Sequence, residues 1–497
     1  MKEFLPTSSA AGLAAEIPAA AVADVNAPDL AGTPEPGPPF TPEDVRRYVR
    51  LYAANPLFGN LKDWVIADNP YRRPIDQQTV TRHDFGRALK REEALNASAL
   101  AAQRMLFNVY ETDLVFLPEK NFAAKRGDFA SFYSNENKLL GELIRPTLEA
   151  HLFGFLEDEI DVSGKWSGDA VKSYLQSVVE SHERSELASL QLILSSPDPE
   201  RAAAALMIQV AGDFLTESSS SARNLLGKYG SVQSELFKIT IDDYGYGVHQ
   251  AKHSTLFENT LATIGLAADA HAYWHFYLTG SLALNNYYHY VCRDHTKVFR
   301  ALGAIAIGES LFAHTCRKFS EMLRAVFGGK VDTYYFDEHY HIDAHHGRMA
   351  VDNVIAPAVD KYGDSVIPEI IRGMEELQLI TTLADEDFMA QVAWACDLER
   401  HRDDAAGLFG GGLGEETEAT KTACVAHEGD AVITRSCDAE LLCRVESGAL
   451  DVVAGHDQSI RLREGEGVRI PRQRLRGLSS ASPRCLYNTY ELKDGRS

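Results

Sequence analysis

A mainly α-helical body followed by a small all-β module is the fold class that this sequence predicts. Three observations carry that expectation. From Phe129 to Arg402, apolar residues recur at three- and four-residue spacing, with no alternation of strands and helices. A glycine-rich and then acidic stretch, LFGGGLGEETEATKT, interrupts the pattern. Beyond it the period changes to two, in short runs divided by turn residues.

Each element follows from its own signals. Residues 1–38 are Ala/Pro-rich with no face to pack, and read as a disordered tail rather than a signal peptide. Thr41-Pro42-Glu43-Asp44 has the form of a helix start, a capping residue followed by proline and acids. Residues 39–128 read as an N-terminal helical, dimerising region, with Asn69-Pro70 and Arg73-Pro74 marking a loop. A helical domain is expected over 129–408. Its long stretches are Asn135–Ile160, Trp166–Leu194, a third begun by Ser196 or Asp198 and stopped at Gly227 and Gly230, and a fourth over Ser231–Leu266 with Gly245 and Gly247 as soft points. Further helices are expected around Asp269–Tyr290, Lys297–Phe327, Thr333–Val359, Val366–Glu376 and Asp385–Arg402. A linker over 409–419 leads to a β domain over 420–497, with strands at AVITRS, ELLCRVES, ALDVVAG, SIRLRE, GVRIP and RCLYNTYEL.

Composition removes several function classes. A net charge of -22 repels nucleic acid and anionic membranes alike. No apolar run is long enough to span a bilayer. Seven cysteines without a CxxC are not a disulfide framework, and a reducing, cytoplasmic setting is the default.

The chemistry begins at FDEHYHIDAHHGRM. His339, Asp343 and His346 stand at i, i+4 and i+7, on one stripe of a helix, and can grip a transition metal from one side. His341 and His345 fall off that stripe and are expected not to be ligands. A two-metal site in a helical bundle needs further carboxylates and imidazoles from other helices. Glu217 follows the apolar run AAAALMIQVAGDFL, and Glu309 sits inside ALGAIAIGESLFAH, where an unpaired charge would be costly. In IDDYGYGVHQAKHSTLF, an ideal helix aligns Asp242, His249 and His253, with Asp243 a quarter-turn away. The tandem glycines can shift that phase, so either aspartate remains open.

The ordered set Glu217, Asp243, His253, Glu309, His339, Asp343 and His346, spaced by 26, 10, 56, 30, 4 and 3 residues, resembles the haem-oxygenase-like diiron oxidases and oxygenases. The likeness is closest to the three-part N-oxygenases that end in a cupin, and covers nearly all of the chain after the tail. It implies a haem-oxygenase-like helical bundle over 129–408 and a cupin-like barrel over 420–497. It also implies two iron ions held by those seven residues, O2 as co-substrate, an external reductant, a small-molecule substrate and a homodimer. Asp243 rather than Asp242 is the ligand in that register, with Asp243 and Glu309 as the carboxylates free to change binding mode and the other five as a fixed cage. Tyr244, Tyr335 and Arg348 lie near enough in sequence to support the cage.

Two departures qualify the likeness. The family's Asp-Glu-Tyr-Gly reads Asp242-Asp243-Tyr244-Gly245 here, one methylene shorter at the ligand. The β domain lacks the His-x-His of an iron-binding cupin and holds only His427 and His456, so a metal-free module is expected. The resemblance then implies an N-oxygenase of natural-product biosynthesis that oxidises an amine, guanidine or amino-heterocycle to the N-hydroxy or nitro level. Conversion of 2-aminoimidazole to 2-nitroimidazole is the example that needs no active cupin. The alternatives are a diiron C–C lyase or desaturase on an amino or fatty acid, and a metal-binding helical scaffold with a cupin sensor.

Overall fold

The computed structural model describes residues 41–410 and 419–492. The tail over 1–38 and all but the ends of the linker lie outside the described residues. The chain opens with α1 (Pro42–Ala53), which starts on its proline with Glu43 and Asp44 in the first turn, as the TPED signal predicts. Helices α2 (Ala97–Glu111), α3 (Phe122–Phe132) and α4 (Asn135–Phe153) follow. Buried from Ser98 to Glu111, α2 is surrounded on every side. One apolar cluster joins Val49 and Tyr52 of α1 to residues as distant as Leu383, so this N-terminal region shares a core with the helices after it. A buried ion pair between Arg73 and Glu111, with His271 Nε2 2.8 Å from the same carboxylate, fastens the two together.

Helical periodicity placed the body well, but several junctions differ. The stretch Trp166–Leu194 is two helices, α5 (Gly168–Arg184) and Ala188–Ser195, parted at Ser185. The third stretch is capped by Asp198 and ends early: α6 covers Pro199–Phe214, far short of Gly227. The fourth is broken outright into α7 (Ser231–Asp243) and α8 (His253–Thr263). Gly245 has φ +60, and a Cβ there would lie 2.5 Å from the Ala251 carbonyl carbon, so the chain folds back on itself at that point.

The rest of the body is α9 (Thr279–Arg293), α10 (Val298–Phe327), α11 (Tyr334–Met349), α12 (Ile367–Ala395) and α13 (Leu398–Gly410). A π-helical segment, Ala350–Ile355, separates α11 from the helix Ala356–Tyr362. The two helices expected at Val366–Glu376 and Asp385–Arg402 are one through Ala395, and the break comes after it. The 30-residue α10 lies against both α11 and α12. A Cβ on Gly303 would fall on the Ile370 carbonyl oxygen, and one on Gly373 on the Arg300 carbonyl, which is why α10 and α12 cross so closely.

The C-terminal module has strands β1 (Ala419–His427), β2 (Glu440–Ser447), β3 (Ala449–Gly455), β4 (Gln458–Arg463), β5 (Gly467–Ile470), β6 (Gly477–Ser480) and β7 (Arg484–Leu492). They form antiparallel sheets in the orders β1-β7-β2-β5 and β4-β3-β6, which share one core. AVITRS is no strand; it makes only isolated bridges, Leu61 to Val432 and Arg435 to Arg476. A mainly α body with a C-terminal cupin-like β module is thus the fold. No helix among the described residues is long and apolar enough to cross a membrane, and all seven cysteines are free.

Candidate metal centre

Five elements converge on one point of the helical body. Glu217 is not on a helix: α6 stops at Phe214, and Glu217 sits in the turn beyond it, followed by Ser218 at φ +59. Asp242 and Asp243 end α7, and the reversal at Gly245 returns the chain so that His253, the first residue of α8, comes back beside Asp243. Glu309 lies midway along α10, just after the fully buried apolar run that ends at Ile307. His339, Asp343 and His346 project from the buried stripe of α11. Gly347 allows that stripe to approach: a Cβ there would lie 2.9 Å from Ser310 Cα of α10.

The side chains form two three-ligand clusters. Glu217, His253 and His339 make one; Glu309, Asp343 and His346 make the other, each with donor atoms within 4.8 Å of one another. In the first, Glu217 Oε1 lies 2.6 Å from His339 Nε2 and 3.4 Å from His253 Nδ1. In the second, His346 Nδ1 lies 3.2 Å from Asp343 and 3.3 Å from Glu309. Asp243 belongs to neither triad and touches the first. Its Oδ1 is 3.5 Å from His253 Nδ1, Ser218 donates a hydrogen bond to its other oxygen, and the Glu309 charge acts on it.

Two of the remaining imidazole nitrogens are fixed from behind. The Tyr335 carbonyl oxygen lies 2.8 Å from His339 Nδ1, so that nitrogen donates and Nε2 is turned to the cluster. Asp242 lies 2.9 Å from His346 Nε2, leaving Nδ1 for the cluster. An imidazole held through its second nitrogen by a carbonyl or carboxylate is the arrangement metal-binding histidines use. The helix does not run through Gly245, so ideal phase does not relate Asp242 to His253; Asp242 lies beside His346 Nε2 and Asp243 beside His253 Nδ1. His249 is exposed, as are His341 and His345. Of the expected supporting residues, Tyr335 packs on His339 with ring centroids 4.3 Å apart, Tyr244 lies 3.4 Å from Ser219 Oγ, and Arg348 is exposed with no bond to the cluster.

Polar atoms here are orphaned in a way that a cation would relieve. Both oxygens of Asp343, Glu217 Oε2 and His346 Nδ1 are buried without a hydrogen-bond partner. Titration states show the same tension. Burial pushes Glu217 up, but His339 and His253 outweigh it and hold the carboxyl down to about 2. Burial pulls His339 down, yet Glu217 and Asp343 raise it to about 10. His346 is lifted against burial to about 12 by Asp343 and Glu309. Burial, then Glu309 and Glu217, drive Asp243 well above the usual carboxylate range. Protons thus stand in for positive charge that the cluster demands. Oxygen and imidazole donors without sulfur suit iron or a similar hard-to-borderline ion.

A family model described as iron-containing redox enzyme matches residues 207–381, the span that holds all seven of these side chains. The chain belongs to the haem-oxygenase-like family of iron-containing redox enzymes and is an oxidoreductase. Within that class it is 43% identical over 467 residues to nitrosourea synthase of Streptomyces achromogenes subsp. streptozoticus, an alignment covering 92% of this chain and 98% of that one.

One role at the site escaped sequence reasoning. Asp242 carried a signal, adjacency to Asp243, but its role depends on a break whose direction no periodicity gives.

Proposed function

We propose that this protein is an O2-dependent diiron N-oxygenase of natural-product biosynthesis, acting on an amine, guanidine or amino-heterocycle. The observation that carries the reading is the pair of three-ligand clusters, with Asp243 beside the first. Glu217, His253 and His339 would hold one iron, and Glu309, Asp343 and His346 the other, with Asp243 reaching both. Four carboxylates and three imidazoles are one imidazole more than the four carboxylates and two histidines of a ferritin-like two-iron bundle site. When bound, such a pair supplies the electrons and open positions that reduce O2 and direct oxygen to a nitrogen atom.

The chain's own part is positioning. Tyr335 and Asp242 set which nitrogen of His339 and His346 is presented, and Ser218 holds Asp243. Glu309 is the partly accessible member of its triad, and a substrate would approach from that side. The curated relative's name speaks of a nitrosourea product, and chemistry at nitrogen is the part of that name we carry over. The β module gives no ground for carrying over more. His427 is exposed and paired with Asp430, and His456 packs against Tyr273 and Phe276. N-hydroxy or nitro formation, with 2-aminoimidazole to 2-nitroimidazole as the candidate conversion, is the product level this supports.

The test is turnover by anaerobically Fe(II)-loaded protein mixed with 18O2, an external reductant and 2-aminoimidazole or an arginine-derived guanidine. Mass spectrometry should find label on nitrogen. Carbon released as formaldehyde or CO2 without labelled nitrogen would instead support the C–C lyase reading.

A further inference from the structure

The phenol of Tyr335 stands against the first triad, and nothing in the metal cage uses it. The backbone carbonyl of Tyr335 orients His339, a service that any residue at this position would give. The side chain is fully buried, and its ring faces two ligands at once. Its centroid lies 4.3 Å from the His339 ring and 6.4 Å from the His253 ring. The hydroxyl is buried too and has no hydrogen-bond partner. A buried tyrosine hydroxyl normally finds one, and leaving it without costs stability that a phenylalanine in its place would not.

Phenylalanine is what the surroundings use. Phe214 of α6, Phe257 of α8 and Phe336 of α11 pack on the Tyr335 ring, with centroids 5.1, 5.2 and 5.0 Å away. Phe312 of α10 lies 5.0 Å from the His339 ring. Among the described residues, no tyrosine or tryptophan ring packs on Tyr335; its ring neighbours are these phenylalanines and the two imidazoles. A phenol gives up an electron far more readily than a phenyl ring does. Tyr335 is therefore the one readily oxidised ring against these two imidazoles, and the phenyl rings around it would not pass the oxidation on. Packing gives no reason for a hydroxyl here, whereas a redox role does.

We infer that Tyr335 is a redox-active residue, which donates one electron to the metal pair when O2 arrives and no substrate takes the oxygen. The phenolic O–H bond breaks. Its electron passes to the metal pair on the His339 side and its proton to the oxygen being reduced, leaving a neutral phenoxyl radical on Tyr335. The balance closes with an external one-electron reductant: each Fe(II) gives one electron, the reductant one and the phenol one, and with four protons O2 becomes two waters. This rests on the proposed function for its irons, but it assigns a reacting residue outside the metal ligands.

The experiment is rapid freeze-quench EPR on the full chain. Anaerobic, Fe(II)-loaded protein is mixed with O2 in the absence of substrate, with a slight excess of Fe(II) as the one-electron reductant and iron counted in the same samples. Wild-type protein should show an organic radical whose hyperfine pattern narrows when ring-deuterated tyrosine is supplied during growth. The signal should fall to background in Tyr335→Phe, which keeps the main-chain carbonyl and the ring and so the wild-type iron content. It should persist in Tyr244→Phe. Iron-loaded wild-type protein with no tyrosine radical at any time overturns the inference without recourse to a variant. So does a tyrosine radical that survives Tyr335→Phe. Failure of the diiron reading is separate, since it appears as missing iron in wild-type protein and would remove this inference with it.

Discussion

His346 is tied at one ring nitrogen and turns the other to its triad, and that makes it the most informative residue in the molecule. Nε2 is tied to Asp242, while Nδ1 is buried, unpartnered by any hydrogen bond, and aimed at Asp343 and Glu309. If Asp242 sets the tautomer, Asp242→Ala should weaken iron binding by about 10- to 100-fold, the usual cost of losing such a partner. Anaerobic Fe(II) titration reads this, and an unchanged affinity would remove Asp242 from the account. The same residues give a pH dependence. His339 and His346 are raised above their unfolded values, to about 10 and about 12, so both carry protons at neutral pH in the metal-free chain. A raised pKa stabilises the metal-free fold below the unfolded value, near 6.5, and that stabilisation is lost as pH rises through the folded value. Iron must displace those protons. Loading near pH 7 should therefore release about two protons from the histidines, with iron affinity falling as pH is lowered. A weakly buffered titration with an indicator dye measures the release; none at all would contradict the assignment. At this scale the sequence was readable where the helix is continuous, as for His339, Asp343 and His346, and where a charge interrupts an apolar run, as for Glu309. Asp242 and Asp243 could not be told apart by periodicity, because Gly245 at φ +60 ends the helix on which a phase could be counted.

Among the elements, close crossings hold the centre together. Gly347 lets α11 lie on α10 at the level of Ser310, and so sets the distance from His346 to Glu309. Gly347→Ala should cost about 1–3 kcal/mol, as overpacking does, and lower substrate turnover by more than the stability loss alone explains. Chemical denaturation together with turnover at a temperature where the variant remains folded separates the two effects. Loss of stability with normal turnover would mean that the crossing does not position the site. Helix existence was legible in these elements, and helix ends were not. α6 stops at Phe214 with no glycine or proline after it until Gly227, and the turn that follows needs positive φ at Ser218, which no residue preference announces. β1 was missed because its residues are mostly exposed; it is the outer strand, paired to β7 alone, and carries no alternating apolar signal. β6, GLSS, is too short and polar to read as a strand.

At the scale of the molecule, the β module is docked on the helical body through buried polar links. Gln391 of α12 donates to the carbonyls of Ala454 and Leu475 and accepts from Leu475 N–H, and Arg474 lies 3.3 Å from Asp387. Arg104 of α2 reaches across to the Thr434 carbonyl at 2.8 Å. Such links leave unsatisfied groups when cut, so Gln391→Ala should destabilise the protein by about 1–3 kcal/mol, measured by denaturant unfolding. Iron content should not follow. The two-part architecture itself was legible from the change of period beyond the glycine-rich stretch. That the N-terminal helices share a core with the body was not, because burial of α2 on all sides depends on partners far away in sequence.

The central claim is that two irons sit in the two triads and nowhere else. Iron counting and Mössbauer spectroscopy on anaerobically loaded protein test it directly. Wild type should hold about two Fe(II) per chain, as a two-metal carboxylate bundle site does. His339→Ala and His346→Ala should each retain about one, in different environments, and the double change His427→Ala with His456→Ala should retain both. A single iron in wild-type protein, or iron lost with the β-module histidines, would contradict the account.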